Sequence, residues 1–352
     1  MKLQIKKITG VLLACAELMA ITSCSEFEEI NKNPYYSDTE MEQLDGVLNG
    51  AYVPNLEKHV IPVPLKTDNT AEVNAYQVSI NLCGDSWVGY FSPRDNKWEE
   101  GANPTTFFFH VNRTNHMFDY ATSKIFTPWI QLKKINLNGD NPNRELYAIV
   151  QIAKIMGLHR SADKYGPIPY SKAGSGSFTV EYDSQEAVYH SFFEELDEAV
   201  QILYDFYMRG GAVVPLASDM VYEGNVAKWI RFANSLMLRL AIRVRYADEE
   251  LARKYAEMAV TNPLGVMESV DDMAKMHKGA NFEIRNPMFQ IANPGQYNDS
   301  RMGATIQSYL KGYNDPRIAT YFQNNGASAV RAGMPVTANT YDAASLPNIQ
   351  EE

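Results

Sequence analysis

The segment "GNVAKWIRFANSLMLRLAIRVRYAD", residues 224–248, has the pattern of an amphipathic helix. Asn225 is a residue type that begins helices, because its side-chain oxygen accepts a hydrogen bond from a backbone N–H that has no partner within the helix. Apolar residues then recur every three or four positions, which places them on one helix face. They are Trp229, Phe232, Ala233, Leu236, Leu240 and Val244. The pattern predicts a long helix that buries this face, including Trp229, in the core.

Three further helices of the same kind are predicted around this segment. Each begins with a residue type that caps helices and ends at glycine or at a residue before proline. The predicted beginnings are Asn143, Asp183 with Glu186, and Asp248, and the predicted ends are Gly166, Gly210-Gly211 and Asn262-Pro263. Successive helices joined by turns indicate helix pairs of the tetratricopeptide kind, although no strict 34-residue signature is present.

The rest of the chain is less regular. A helix near the front is predicted to end at Pro54, and its apolar positions are Met41, Leu44, Val47, Leu48 and Ala51. Residues 60–120 and 281–300 are rich in Pro, Gly, Asn and charge, which predicts loops interrupted by short helices or strands. Residues 302–312 have a helical pattern, and the tail has no periodicity. The predicted fold is therefore mostly α, with helix pairs and long irregular loops.

The first 24 residues have the pattern of a bacterial lipoprotein signal. Lysines precede a short apolar run, and "ITSC" (21–24) resembles a lipobox, in which the cysteine is acylated and becomes the new N-terminus. We therefore expect a signal peptide over residues 1–23, a covalent lipid such as palmitate on Cys24, and a tether over residues 24–37. A plain buried N-terminal helix and an ordinary secretory signal are the alternatives, and Cys15 is a weaker lipidation candidate. Acidic residues just after Cys24 resemble the signal for the outer face of the outer membrane in Bacteroidota.

Charge and cysteine content exclude several classes of protein. The 352 residues carry a formal charge of −10. Removal of three lysines and one glutamate with the signal peptide takes away +2 and leaves −12. That balance argues against nucleic-acid binding and against adhesion to anionic lipid, both of which need a basic surface. Of three cysteines only Cys83 has no role in the signal, so no intrachain disulfide and no cysteine zinc site is expected. A buried thiol is the favoured role of Cys83, and a catalytic nucleophile is the alternative.

Catalytic and metal-binding patterns are absent from the sequence. The six histidines form no HExxH motif, and no GxSxG motif occurs. Adjacent carboxylates such as Glu194 and Glu195 point about 100° apart on a helix, so they cannot flank one bond as a hydrolase needs. A pair of carboxylates distant in sequence could, and a secreted hydrolase is therefore the disfavoured alternative. We therefore expect no enzymatic activity, no metal site and no cofactor other than the lipid on Cys24.

The segment "GDSWVGYFSPRDNKWEEGANP" (84–104) is the predicted ligand-binding loop. Sugar rings stack on flat aromatic side chains, while their hydroxyls need polar partners, and loops often carry such residues. The candidate ligand-binding residues are Asp85, Trp87, Arg94, Trp98, Asn103 and, from the second loop region, Tyr297. The alternative is that Trp87 and Tyr90 are core residues and the charges are solvated. Trp98, next to charged residues, is expected to be the most exposed.

Several segments resemble motifs of the SusD/RagB family of outer-membrane lipoproteins. The helix of residues 224–248 is similar to a hallmark helix of that family, and "ADKYGPIPYSKA" (162–173) to its Tyr-Gly-x-x-Pro-Tyr turn. Residues 178–200 resemble the segment that follows the turn, and "GYNDPRIATYF" (312–322) resembles an Asp-Pro-Arg motif. These motifs occur in the family's order over nearly the whole chain.

The resemblance implies a fold and a function. It implies tetratricopeptide-like helix pairs with an irregular ligand-binding face over residues 38–352, with a C-terminal portion of the family's domain expected to be missing. It also implies a lipid-anchored protein on the cell exterior that captures glycans, or peptides in some members, for a SusC-like TonB-dependent transporter. A peptide-binding or protein-scaffold module is the alternative to a glycan-binding protein.

Overall fold

A computed structural model describes residues 47–64, 70–94, 104–107, 110–139, 141–215, 218–277, 283–331 and 346–349. The predicted signal peptide, Cys24 and the predicted tether lie outside these residues. The chain divides into two compact units, Met1–Ala51 and Tyr52–Glu352. Residues 47–51, the described part of the first unit, are helical. The core and the candidate site lie in the second unit.

Helices make up most of the described secondary structure, which confirms the prediction of a mostly α fold. The α-helices are α1 (Val47–Val60), α2 (Thr70–Tyr76), α3 (Val111–Ala121), α4 (Thr127–Asn136), α5 (Arg144–Tyr165), α6 (Gln185–Met208), α7 (Val226–Val244), α8 (Glu249–Thr261), α9 (Pro287–Ala292), α10 (Ala304–Gly312) and α11 (Arg317–Tyr321). Two π-helical segments are Gln77–Asp85 and Thr122–Phe126, and short 3-10 turns are Pro104–Thr106, Val270–Asp272 and Gln323–Gly326. The strands β1 (Phe91–Pro93) and β2 (Ser300–Met302) form one antiparallel pair.

Four long helices, α5 to α8, pack one against the next in chain order and enclose the main core. Phe193 on α6 stacks on Tyr255 of α8, with ring centroids 4.4 Å apart. Trp229 on α7 is 2% exposed, which confirms its predicted place in the core. Each fully buried side chain of this size contributes roughly 1.5–3 kcal/mol. Burial of the apolar helix faces is therefore the main force that holds the four helices together.

Three of the predicted helix caps are confirmed. The side-chain oxygens of Asn143, Asn225 and Asp248 each accept a hydrogen bond from the backbone N–H three residues later, at 2.9, 3.0 and 2.9 Å. Each cap satisfies a donor that has no partner inside the helix. The beginnings of α5, α7 and α8 are thus determined by local sequence.

The predicted cap of α6 is wrong by one residue. Ser184, not Asp183, caps this helix, since its Oγ accepts a hydrogen bond from Ala187 N at 3.1 Å. Asp183 instead holds the turn after α5. Its Oδ2 accepts hydrogen bonds from Tyr170 N at 3.0 Å and Ser171 N at 2.7 Å. Two donors from that turn satisfy the carboxylate better than one helix N–H, so tertiary contacts decide which neighbour caps the helix.

Pro54 does not end the first helix, contrary to the prediction. It lies inside α1, which continues to Val60. Val53 and Leu56, on either side of the proline, are buried in the main core. A proline removes one backbone donor from a helix and costs about 3 kcal/mol. Burial of two aliphatic side chains offsets a cost of that size.

The two segments predicted as loops interrupted by short helices or strands do contain such elements. Residues 60–120 contain α2, the first π-helical segment, β1 and α3, and residues 281–300 contain α9 and the start of β2. Asn286 caps α9, since its Oδ1 accepts a hydrogen bond from Met288 N at 3.0 Å. Helices of six or seven residues, such as α9 and α2, are too short to show a clear 3.6-residue repeat, so the sequence pattern did not locate them individually.

Candidate functional site

The predicted ligand-binding loop begins where the π-helical segment Gln77–Asp85 ends. The chain then makes a tight turn, in which Tyr90 N donates to the carbonyl of Asp85 at 2.9 Å. Gly89 lies in this turn with φ +73°, a conformation that favours glycine. Trp87 is half-buried here, while Tyr90 is 51% exposed. The turn therefore presents Tyr90 to solvent, and the alternative that placed Tyr90 in the core is wrong.

Pairing of β1 with β2 brings the second predicted loop next to the first. Phe91 lies opposite Met302, and Pro93 lies opposite Ser300. At the end of β1, Arg94 N donates to the carbonyl of Asp299 at 2.9 Å. Arg94 is thus adjacent to the segment that carries Tyr297, although the two are distant in sequence.

Tyr297 packs against the fold and keeps part of its side chain exposed. Its ring packs against a small apolar cluster of Val73, Met288 and Ile291. Its hydroxyl donates to Asn74 Oδ1 at 3.1 Å. Partial burial raises the pKa of Tyr297 above its ordinary value, so the hydroxyl stays protonated at physiological pH. A fixed, neutral and partly exposed tyrosine suits stacking against a sugar ring.

Asp85 lies at the other end of β1 from Arg94. Partial burial raises the pKa of its carboxyl to about 6, although a hydrogen bond from the Asn81 side chain opposes the shift. Burial disfavours the charged form of a carboxyl group. Asp85 therefore changes charge close to neutral pH, which is unusual for an aspartate and makes any ligand contact through it sensitive to pH.

The structure places four of the six candidate residues. Arg94 and Tyr297 are brought to adjacent segments, and Asp85 and Trp87 lie in and just before the turn that precedes β1, at the opposite end of that strand from Arg94. Trp98 and Asn103 lie outside the described residues, so their part in the site stays a prediction. Gln77, which no sequence pattern indicates as a site residue, also reaches this region, since its Nε2 donates to Asp299 Oδ2 at 3.2 Å.

A buried polar network lies behind the loop. Glu72 on α2 accepts hydrogen bonds from Tyr120 Oη at 2.6 Å and from His59 Nε2 at 3.2 Å. Burial by itself would raise the pKa of Glu72, but the hydrogen bonds from His59 and Tyr120 lower it to about 2. The carboxylate is therefore charged at physiological pH. The network joins α1, α2 and α3, the elements that support the start of the loop.

Ser79 and His116 form a serine–histidine pair in the same region, but this pair is not accessible to a polymeric substrate. Ser79 Oγ lies 2.8 Å from His116 Nδ1, a distance typical of a nucleophile and its base. Ser79 is buried on the π-helical segment, however, and burial also lowers the pKa of His116. The pair instead joins α3 to the π-helical segment.

Cys83 is a buried thiol, as predicted, and its Sγ donates to the carbonyl of Val78 at 3.3 Å. Within the described ranges, no group of three or more His, Cys, Asp or Glu side chains is placed to hold a metal ion.

A large cleft on the described surface lies elsewhere. It has a volume of about 610 Å³ and lies between α1, α5 and α7. None of the four described candidate residues lines it. Its walls are mostly carbon, from residues such as Met156, Phe232 and Met276, with Glu57 and Arg285 among the few charged groups. Apolar walls leave sugar hydroxyls without partners, so this cleft suits an apolar side chain better than a glycan.

A family model described as "SusD-like: Susd and RagB outer membrane lipoprotein" matches residues 29–352. The chain belongs to the SusD-like family. The resemblance seen in its motifs is therefore confirmed, and so are the tetratricopeptide-like helix pairs that SusD-like structures share.

Solved structures of SusD homologues are similar over most of this SusD-like chain. A chitin-binding SusD homologue from Flavobacterium johnsoniae is 34% identical, with a TM-score of 0.72, and the match covers 82% of this chain and 58% of that one. A SusD homologue from Bacteroides uniformis is 33% identical, with a TM-score of 0.70 and coverage of 85% and 62%. One from Bacteroides vulgatus is 30% identical, with a TM-score of 0.73 and coverage of 85% and 60%.

The SusD-like chain thus spans about three fifths of the length of these homologues. No curated protein sequence matches it. In the part of the chain that the structure describes, no helix is both long enough and apolar enough to cross a bilayer.

Proposed function

We propose that this SusD-like protein binds glycans at the cell surface and delivers them to a SusC-like TonB-dependent transporter. Trp87 and Tyr297 supply the ring faces, while Asp85 and Arg94 supply a hydrogen-bond acceptor and donors for sugar hydroxyls. Trp98 and Asn103 complete the proposed site. The observation that carries this proposal is the β1–β2 pairing, which joins the aromatic loop to the segment that carries Tyr297.

Family membership and the neighbouring structures support a glycan ligand. One solved homologue, 34% identical to this chain, is described as chitin-binding. The chemistry of the site agrees, because a glycan needs flat aromatic faces beside charged and amide groups. Binding without catalysis is part of the proposal, and the burial of Ser79 in the serine–histidine pair supports it.

Affinity electrophoresis in gels that contain soluble polysaccharides tests the glycan site. Wild type is expected to be retarded by at least one polysaccharide. Tyr297→Ala removes a ring face and is expected to weaken binding roughly two- to tenfold, since an aromatic contact contributes about 0.5–1.5 kcal/mol and 1.4 kcal/mol is a factor of ten. Tyr297→Phe keeps the ring face and loses only the hydrogen bond to Asn74, so it is expected to bind nearly as wild type does.

Two results would contradict the proposed site. If Tyr297→Ala and Trp87→Ala migrate as wild type does in a gel that retards wild type, the glycan binds elsewhere. If no polysaccharide retards the wild-type protein, glycan binding itself is wrong. Circular dichroism of each variant shows whether a loss of binding reflects unfolding.

The membrane location and the transporter partner belong to the same proposal. The family is described as outer-membrane lipoproteins. We infer a signal peptide over residues 1–23, a lipid on Cys24, a tether over residues 24–37 and a helical domain over residues 38–352. Cross-linking of the tagged protein in intact cells is expected to recover a TonB-dependent transporter. Recovery of only soluble proteins would contradict delivery to a transporter.

A peptide-binding or protein-scaffold role is the second candidate. The apolar cleft of about 610 Å³ favours it, because apolar walls fit side chains of a peptide. Phe232→Asp places a charge on the wall of this cleft, where Phe232 is half-buried. Loss of a protein partner in this variant, with glycan retardation unchanged, would favour the second candidate over the first.

A further inference from the structure

Helix α10 carries two exposed tyrosines that the predicted site does not include. Tyr309 is 61% exposed, and Tyr313, which follows the last turn of the helix, is 79% exposed. Their ring centroids are 6.2 Å apart, and the ring planes differ by 18°. Two nearly parallel aromatic rings therefore stack on each other at the surface, and each keeps much of its area exposed. Large exposed aromatic groups of this kind usually mark a binding surface.

The pair is fixed to the fold from the opposite side of the helix. Leu310 is buried and Ile306 is half-buried, and both pack in a small core with Met302 and Phe322. Residues three positions apart on a helix lie about 60° from each other around the axis, so the tyrosines lie beside this buried stripe. Because the helix is anchored, the backbone positions of the two tyrosines are fixed relative to the rest of the fold.

The turn after the pair adds polar groups. Arg317 Nε donates to both carboxylate oxygens of Asp315, at 2.9 and 3.0 Å, and this contact fixes the direction of the guanidinium group. The Arg317 side chain is still mostly exposed. Arg317, four residues after Tyr313, thus supplies exposed donors that can bind hydroxyl groups.

The same helix contacts the predicted site. Ile306 N donates to the carbonyl of Gly89 at 3.2 Å, and Gly303 N donates to the carbonyl of Tyr90 at 2.9 Å. With a rise of about 1.5 Å per residue, Tyr309 lies only about 5 Å along the helix axis from Ile306. A polysaccharide of a few more sugar units is long enough to reach from the loop to the tyrosine pair.

We infer that Tyr309 and Tyr313, with Arg317, form a second glycan-binding surface that holds a polysaccharide chain extending from the predicted site. The inference rests on the proposed glycan-binding function. Sugar rings stack on the two tyrosine faces, and the exposed donor groups of Arg317 bind hydroxyls. A polysaccharide is the proposed occupant, because α10 contacts the loop of the predicted glycan site through Gly89 and Tyr90. A flat open surface of this kind binds weakly by itself and adds to the affinity only when one ligand contacts both sites.

Comparison of long and short ligands tests this inference. The probes are soluble polysaccharides in affinity gels and hexasaccharides with the same linkages in titration calorimetry. The double variant Tyr309→Ala/Tyr313→Ala is expected to bind the polysaccharide roughly tenfold more weakly, because it loses two ring contacts, and to bind the hexasaccharide within about twofold of wild type. The variant Tyr309→Phe/Tyr313→Phe keeps both rings and is expected to bind both ligands as wild type does. Tyr246→Ala is the control, since Tyr246 is 89% exposed at the end of α7.

The outcomes separate this inference from the proposed function. If the double alanine variant is retarded as strongly as wild type, in a gel where Tyr297→Ala loses affinity, the second surface is wrong and the proposed site stands. An equal loss in Tyr246→Ala would also overturn it, because the effect would not be specific to the pair. A wild-type protein that no polysaccharide retards would overturn both.

Discussion

Single residues show how the fold holds buried charge. Glu57 on α1 is buried, and its Oε2 accepts a hydrogen bond from Met220 N at 2.8 Å. Burial, and then the charge of Asp219, raise the pKa of Glu57 well above its usual value. Asp219 accepts hydrogen bonds from Val221 N, Tyr222 N, Gly224 N and Trp229 Nε1. Four donors thus converge on Asp219, and the raised pKa of Glu57 means that the Glu57 carboxyl holds its proton over a wider pH range than an exposed glutamate does.

We predict that Glu57→Gln stabilises the protein increasingly as pH rises. Because the pKa of Glu57 is higher in the folded state, the wild-type protein loses stability as pH increases above about 4.5 toward the folded-state pKa. Glutamine can keep the hydrogen bond from Met220 N and is uncharged at every pH. The difference in free energy of unfolding between variant and wild type is expected to grow by at most about 3 kcal/mol between pH 5 and pH 7, as measured by urea denaturation. Glu194→Gln, at an exposed position on α6, is the control. If the difference in free energy of unfolding between Glu57→Gln and wild type stays constant with pH, the raised pKa of Glu57 is wrong.

Asp85 gives a pH prediction for binding. Its carboxyl has a pKa of about 6, and only the charged form accepts hydrogen bonds with both oxygens. Affinity for a retarding polysaccharide is therefore expected to rise as pH increases from 5 to 7, with a midpoint near 6. Asp85→Asn is expected to bind more weakly at pH 7 and to show no midpoint. If the variant keeps the wild-type pH profile, another group controls the effect.

At the scale of elements, the contact between β1 and α10 depends on Gly303. A Cβ atom at this position would lie 2.1 Å from the carbonyl oxygen of Gly89, a backbone atom that cannot rotate away. Gly303→Ala is expected to cost roughly 1–3 kcal/mol and to weaken polysaccharide binding, because it forces the loop away from the helix. Gly312→Ala is the matched control at the end of the same helix, where an added Cβ would meet nothing within 4 Å. Equal stability of the two variants in thermal unfolding would show that the close contact is not needed.

The helix caps and the β1–β2 pairing show which features of the fold could be predicted from the sequence. The caps Asn143, Asn225 and Asp248 were predictable because the donor and the acceptor lie three residues apart. The cap of α6 was not, because Asp183 is taken by a turn that precedes it. No local pattern indicates that Arg94 lies next to Asp299, since β1 and β2 are far apart in sequence. For the same reason, the sequence supplied the residue types of the site but not their arrangement.

At the scale of the whole molecule, family membership and lipid attachment depend on different parts of the chain. The family match begins at residue 29, after the proposed lipidation site. The position of the lipid is therefore inferred from the apolar run and the lipobox pattern of residues 21–24 alone. A protein with two or more acyl chains is stably anchored in a membrane, whereas one chain holds it only marginally.

Metabolic labelling in a bacterium that processes lipoproteins tests the anchor on the full chain. Radiolabelled palmitate is expected to enter the wild-type protein and the control Cys15→Ser, and to be absent from Cys24→Ala. The Cys24→Ala protein is also expected to leave the membrane fraction, because no acyl chain holds it there. Label in Cys24→Ala, or a mature N-terminus at another residue, would show that the lipobox assignment is wrong. The unit of residues 52–352 contains none of the substituted residues. Its thermal unfolding is therefore expected to be the same in wild type, Cys15→Ser and Cys24→Ala. If it is, loss of Cys24→Ala from the membrane fraction reports the loss of the lipid anchor alone.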